Sequence, residues 1–167
     1  REAGGRVAPQ QLLRDTNAVL QNPQDRRQLD LAIYGVSEHG MPLCCDCTMV
    51  SPLRRDGSAR PRADTMDGAA IAEAESRKRR TYRELANSRT AKLMVLASEV
   101  GGRWGQDSLQ LVRRLAAQKA RSAPRLLRRS VELAWSNRWW GLLSVASQDT
   151  LAASWRLGAQ PGSTTPT

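Results

Sequence analysis

The chain has 167 residues, enough for one folded domain with a single core but too few for two large domains. Lysine and arginine outnumber aspartate and glutamate by 26 to 16, and the resulting charge of +10 favours a polyanionic partner, nucleic acid before an anionic membrane surface. No apolar run reaches the roughly 18 residues that a membrane-spanning helix needs, and no signal-peptide pattern opens the chain. We therefore expect a soluble, intracellular protein with no membrane partner, and the initial Arg1 in place of Met indicates a fragment of a longer chain.

The N-terminal third predicts a loose start followed by a β-hairpin. Residues 1–26 are expected to be loose, with residues 9–20 compatible with one short helix. Two runs rich in apolar and β-branched residues follow, 29–34 and 42–50, and a glycine-bracketed turn centred on Glu38 separates them.

The remainder alternates basic, helical and apolar segments. Residues 51–64 form a basic loop without periodicity, residues 67–86 an Ala-rich helix, and residues 92–98 an apolar strand expected to be central in the sheet. Further helices are predicted over 107–121 and from Pro124 to about residue 155. Together these elements predict an α/β fold with a small mixed sheet flanked by helices, a C-terminal helical extension over 106–157 and a disordered tail over 158–167.

The hairpin carries one carboxylate on each strand. Folding about Glu38 pairs Tyr34 with Pro42 and brings Asp30 opposite Asp46, which destabilises a sheet unless a cation lies between them. Strand alternation puts Thr48 on the face of Asp46, and two carboxylates with a hydroxyl suit Mg²⁺ or Mn²⁺. The alternative is a one-residue slip, which points Asp30 into solvent.

The helix over 67–86 supplies a candidate cation for that face. At about 100° per residue, one arc contains Ile71, Ala74, Glu75, Lys78, Tyr82 and Leu85. Lys78 is the only member of the basic run 77–80 in this arc. It either snorkels to solvent or reaches Asp30 and Asp46, and the sequence leaves both open.

Two other sequence patterns each allow a functional interpretation and a simpler one. Cys44, Cys45 and Cys47 with His39 could suggest zinc, but adjacent cysteines face opposite sides of a strand, so we interpret them as small apolar filler. Arginines could bind phosphates or form a solvated face, and Trp135 and Trp139 are interpreted as packing residues rather than base-stacking platforms. The arginines concerned are Arg54, Arg55, Arg60, Arg62, Arg121, Arg125, Arg128 and Arg129.

Residues 27–104 resemble the PD-(D/E)XK restriction-like nuclease domain found at the C-terminal end of LINE-type retroelement polyproteins. The matching segments are Leu29-Asp30, residues 46–52, residues 75–82 and residues 98–104. The chain departs from the general motif because Leu29 replaces the proline and Thr48 replaces the lysine. In this branch the lysine lies on the following helix ahead of a tyrosine, and Lys78 with Tyr82 resembles that arrangement.

The resemblance implies a restriction-like nuclease core over 27–105. Asp30 and Asp46 would bind the metal and Lys78 would position or activate the attacking water. The possible accessory residues are Glu75, Thr48, Tyr82 and Glu99, and the sequence leaves open whether Glu99 joins the site. The implied function is a Mg²⁺- or Mn²⁺-dependent DNA endonuclease that nicks a target for element insertion. The implied partners are the reverse transcriptase of the same polyprotein and RNA/DNA intermediates. The implied location is the nucleus. The alternative is an inactive, repurposed domain that binds nucleic acid or docks a partner through Trp135, Trp139 and Trp140.

Overall fold

A four-stranded open sheet with helices on both faces forms the centre of the molecule. The computed structural model describes residues 2–16, 24–37 and 39–158. The strands are β1 (Arg6–Leu12), β2 (Gln28–Tyr34), β3 (Leu43–Val50) and β4 (Lys92–Glu99), and the helices are α1 (Ala69–Thr81), α2 (Arg83–Ala86), α3 (Gln106–Ala120) and α4 (Arg128–Gly158). The predicted mixed α/β fold with a C-terminal helix is confirmed.

The N-terminal segment was predicted wrongly. Residues Arg6–Leu12 form β1, antiparallel to β2, instead of a loose segment entering a helix at Pro9. A 3-10 helix over Leu13–Thr16 follows, and the last four residues of the predicted helix lie outside the described residues. Pairing with β2 satisfies backbone groups that β2 would otherwise leave unpaired at its edge, which overrides the weak local helix signal.

The predicted hairpin and its register are confirmed. β2 and β3 are antiparallel, with Leu31 opposite Cys45 and Ile33 opposite Leu43. Continuing this register by one residue puts Asp30 opposite Asp46, as the symmetric fold about residue 38 predicts. That central turn residue itself lies outside the described part of the chain.

β4 lies at the edge of the sheet and not at its centre, which corrects the prediction. The strand order is β1-β2-β3-β4, and β4 runs parallel to β3 with Val95 beside Asp46. Its free edge is satisfied by the start of α3: Asp107 Oδ2 accepts the Val95 N–H at 2.9 Å, and the Gly105 N–H donates to Ala97 O at 2.8 Å. Helices cover both faces of β4, and polar groups at the start of α3 cover its free edge. This edge strand can therefore have the apolar sequence that is typical of a central strand.

The helices match their predicted positions with local differences. The segment predicted as one helix is broken at Tyr82 (φ −110°, ψ 44°) into α1 and α2. A 3-10 turn over Arg125–Leu127 precedes α4, so the last helix begins four residues after Pro124. The tail was predicted over 158–167, but Gly158 is the last residue of α4, and residues 159–167 lie outside the described residues. Within the described chain, no helix combines the length and apolar character needed to cross a membrane.

Candidate functional site

The two aspartates lie at a fork where β2 and β3 separate. The last paired residues are Leu31 and Cys45, and Asp30 and Asp46 stand one position beyond them. Asp30 is exposed, and its Oδ2 accepts a 2.6 Å hydrogen bond from the backbone N–H of Cys47. At this point of β3 the Cys47 N–H therefore donates its hydrogen bond to a side-chain carboxylate instead of a main-chain carbonyl.

Asp46 is buried beneath α1 and is held by two side chains of the helical segment. Its side chain is 4% exposed, and the Lys78 ammonium lies 2.6 Å from Asp46 Oδ2. The Tyr82 hydroxyl donates to Oδ1 at 3.0 Å. Oδ2 has no hydrogen-bond donor in favourable geometry, so its contact with Lys78 is a direct charge pair. This pair compensates a carboxylate that burial alone would strongly destabilise.

The helical periodicity explains why Lys78 and Tyr82 meet the same carboxylate. Residues four apart lie on one helix face, and the stripe that contains Ile71 and Ala74 packs on the sheet. The Tyr82 hydroxyl is also 2.7 Å from Gln28 O and carries one proton, so it donates to one of the two oxygens at a time. Burial, and then the charge of Asp46, raises the pKa of Tyr82, which keeps it a donor at neutral pH.

The charges of Asp30, Asp46 and Lys78 act on one neighbouring thiol. Desolvation, followed by the charges of both aspartates, raises the pKa of Cys47 to about 11, while Lys78 acts in the opposite direction. In the geometry, Asp30 and Asp46 each stand one position beyond the last paired residues, and Lys78 contacts Asp46. Among the described residues, the ion-pair partner of Lys78 is Asp46, and Asp30 has none.

No local sequence pattern predicts the Arg27 clamp, by which we mean the contacts of the Arg27 guanidinium with Asp25, Thr81 and Glu84. Its guanidinium donates to Thr81 O at 2.5 Å, to Glu84 at 3.0 Å and to Asp25 at 2.7 Å. It therefore joins the start of β2 to the helix break at Tyr82. The clamp was missed because Arg27 and Glu84 are distant in sequence and no local spacing links them.

The predicted accessory residues do not gather at the fork to the same extent. Thr48 shares the face of Asp46, two residues along β3. Glu99 stands four residues beyond Val95 on β4, roughly 13 Å along the strand from the Asp46 level, and its carboxylate pairs with Arg103 at 3.4 Å. Glu99, whose part in the site the sequence left open, therefore lies away from the fork.

Glu75 faces the edge of β4 and the start of α3. A side chain at Gly105 would lie 2.5 Å from its Oε1, which is buried without a hydrogen-bond partner. Desolvation and then the charge of Asp107 raise the pKa of Glu75, and Arg79 opposes them. Asp107, which the sequence reasoning missed, accepts from Arg79 at 2.7 Å as well as from the Val95 N–H.

The arginines predicted to bind nucleic acid occupy two surface segments. Arg54, Arg55 and Arg62 are exposed on residues 51–64, where Leu53 bridges Ala59, while Arg60 bonds Ser51 O at 2.8 Å. The other four are exposed around the connection between α3 and α4, namely Arg121, Arg125, Arg128 and Arg129. They lie on a helix end, a 3-10 turn and a helix start, so their apparent helical spacing does not reflect a single helix.

A hard divalent cation binds oxygen ligands, and the fork offers it the carboxylates of Asp30 and Asp46. Within the described residues, no group of three or more His, Cys, Asp or Glu side chains is arranged to hold a metal. Two carboxylates suffice for Mg²⁺ when water and substrate phosphate complete the shell. Both oxygens of Asp46 already have partners, Oδ1 the Tyr82 hydroxyl and Oδ2 the Lys78 ammonium, so a cation bound at Asp46 would lie beside Lys78.

Comparison with known proteins adds no family to this geometry. No family model, curated protein or solved structure matches the chain. The functional conclusions therefore depend on the residues described above.

Proposed function

We propose that the chain is a metal-dependent DNA endonuclease domain with a restriction-like core that nicks target DNA for retroelement insertion. The observation that carries this proposal is the charge pair of Lys78 with buried Asp46 at the fork bordered by Asp30. The placement of Asp30 on β2, Asp46 on β3 and Lys78 on the following helix α1 supports it, because the resemblance implies these elements for the three residues. The proposal includes a nuclear location and the reverse transcriptase of the same polyprotein as a partner.

In this proposal Asp30 and Asp46 would hold Mg²⁺ or Mn²⁺, and the bound ion would supply Lewis-acid polarisation of the scissile phosphate and a lowered pKa of a water. The Lys78 ammonium stabilises negative charge that develops on the phosphate. Tyr82 orients the Asp46 carboxylate through its 3.0 Å hydrogen bond. The exposed arginines hold the DNA backbone without reading sequence.

A nicking assay on supercoiled plasmid, with Mg²⁺ or Mn²⁺ and with EDTA, tests the proposal. Asp30→Asn is the most informative variant because asparagine can still accept the Cys47 N–H, whereas the charge that holds the metal is lost. We expect Asp30→Asn, Asp46→Asn and Lys78→Met each to lower the nicking rate by about 100-fold or more. The matched control is Arg77→Met, an exposed cation adjacent to Lys78, which should leave the rate unchanged.

Two results would contradict the endonuclease proposal. One is the absence of metal-dependent nicking by the folded native chain. The other is a native nicking rate in Asp30→Asn together with Asp46→Asn, since no metal-bound carboxylate would then remain at the fork.

A second candidate is a non-catalytic domain that binds nucleic acid or docks a partner. The observation that favours it is the exposed apolar surface near and along α4, where Leu126 is 95% exposed, Leu133 56% and Val145 62%. The tryptophans are less available, because Trp140 lies 5.5 Å from Trp104 and Trp139 Nε1 donates to Glu2 at 2.8 Å. Salt-sensitive DNA binding without metal-dependent cleavage would support this candidate.

A further inference from the structure

A polar groove runs along α1 and α2 on residues that the proposed site does not use. Its cationic and polar lining residues are Ser76, Arg79, Arg80, Arg83 and Asn87. Its volume of about 750 Å³ exceeds the 330 Å³ and 380 Å³ of the two apolar cavities between the sheet, α3 and α4. Because residues turn by about 100° each, Arg80 lies roughly 200° around the helix from Lys78, so the groove and the Asp46 contact are on different sides of α1.

The groove carries excess positive charge. Arg79 is fixed by its 2.7 Å ion pair with Asp107, whereas Arg80 and Arg83 are exposed and have no ion-pair partner in the described part of the chain. Glu75 is the acidic residue of the lining, and desolvation raises its pKa. The nearby Glu84 is bound by Arg27 at 3.0 Å. Two guanidinium groups are therefore available to an anion in the groove.

The shape of the groove suits a chain of phosphates better than one ion. Its lining follows α1 from Ala72 to Arg80, roughly 12 Å at 1.5 Å per helical residue, and continues onto α2 at Arg83. A single phosphate is typically held in a closed cradle of donors, whereas this groove is an open trough. Guanidinium groups bind phosphate oxygens with paired hydrogen bonds, so successive arginines can follow a strand.

We propose that this groove binds the phosphodiester backbone of nucleic acid, with Arg80 and Arg83 as phosphate ligands. The groove deepens the proposed function by adding a contact with the substrate outside the cleavage site. It rests on that function only for the identification of its polyanionic ligand as nucleic acid. Loss of the contact weakens binding without altering chemistry at Asp46.

Fluorescence anisotropy of a short labelled duplex with the full chain in EDTA, over a series of KCl concentrations, tests the groove. Two lost phosphate contacts should reduce the slope of log K against log salt by about 1.8 in Arg80→Gln/Arg83→Gln. The control is Arg113→Gln/Arg114→Gln on α3, two exposed arginines outside the groove that remove the same charge. Its slope should stay at the native value.

A second pair of variants adds charge instead of removing it. Ser76→Glu introduces a carboxylate into the groove and should weaken duplex binding, while Ser144→Glu on exposed α4 should not. Equal effects in groove and control variants would overturn the proposal, as would the absence of duplex binding by the native chain. Displacement of the duplex by inorganic phosphate beyond the effect of equal ionic strength would indicate a single-ion site and would also overturn it.

The anisotropy measurement separates this proposal from the endonuclease proposal. EDTA prevents metal-dependent cleavage, so a reduced slope in Arg80→Gln/Arg83→Gln supports the groove even if the plasmid is never nicked. Metal-dependent nicking with an unchanged slope would instead retain the endonuclease and overturn the groove.

Discussion

The two faces of the sheet differ in how tightly they are packed. In the described part of the chain, thirteen buried apolar residues under α1 and α2 form one continuous cluster that includes Leu29, Ala74 and Val95. Among the same described residues, the buried cluster under α3 and α4 has six members, and two apolar cavities of about 330 and 380 Å³ lie beside it. The polar residues of the proposed site belong to the tightly packed face.

The tight packing under α1 and α2 explains why the charged pair of Lys78 and Asp46 can be kept on that face. A buried carboxylate needs its partner at a fixed position, since an uncompensated charge in the interior is strongly destabilising. Ile71 and Leu85, buried on the same stripe, hold that side of the helical segment on the sheet and so hold Lys78 over Asp46. The opposite face instead borders the two apolar cavities.

The largest effect on stability is expected from removing one partner of the pair. Lys78→Met leaves Asp46, which is 3% exposed, without its cation and should lower the free energy of unfolding by about 3 kcal/mol. Asp46→Asn added to Lys78→Met removes the unpaired charge and should recover much of the loss. Urea unfolding measures both, with Arg77→Met as an exposed control that should change stability by less than about 0.5 kcal/mol.

A stability loss for Lys78→Met no larger than for Arg77→Met would show that Lys78 is solvated and not paired in solution. That outcome would also remove the observation on which the endonuclease proposal depends. The snorkelling interpretation of the sequence would then be the correct one.

A matched pair of one-carbon enlargements compares the packing of the two faces directly. Val95→Ile adds a methylene to the cluster under α1, where Val95 is fully buried, and should cost about 1–2 kcal/mol through overpacking. Val112→Ile adds the same group beside both apolar cavities and should be neutral or stabilise by up to about 1 kcal/mol. Equal losses in the two variants, measured by urea unfolding, would show that the second face is as tightly packed as the first.

The sequence predicted the elements that local patterns specify and missed those that depend on distant partners. The hairpin register followed from alternation and a glycine-bracketed turn, and the position of Lys78 followed from helical periodicity. β1 was missed because its strand character comes from pairing with β2. The edge position of β4 was missed because Asp107, twelve residues after Val95, supplies the polar cover that permits an apolar edge strand.

The smallest effect is expected at the edge of β4, where elements of the two faces meet at Glu75 and Asp107. The pKa of Glu75 is raised above 4.5, so the folded state binds this proton more tightly than the unfolded state does. The stability that this proton contributes is present below pH 4.5 and is lost as the pH rises through the folded-state pKa.

Glu75→Gln removes this titration and should be more stable than the native chain at pH 7, by on the order of 1 kcal/mol, with the advantage disappearing near pH 4. Urea unfolding of both chains between pH 4 and pH 7 measures the difference, and Glu73→Gln, exposed on the same helix, is the control. A Glu75→Gln advantage that grows towards acid pH would reverse the sign and show that Arg79 stabilises the charged carboxylate. The edge would then be held by an ion-paired Glu75, and the loosely packed α3 side would share the charge compensation found under α1.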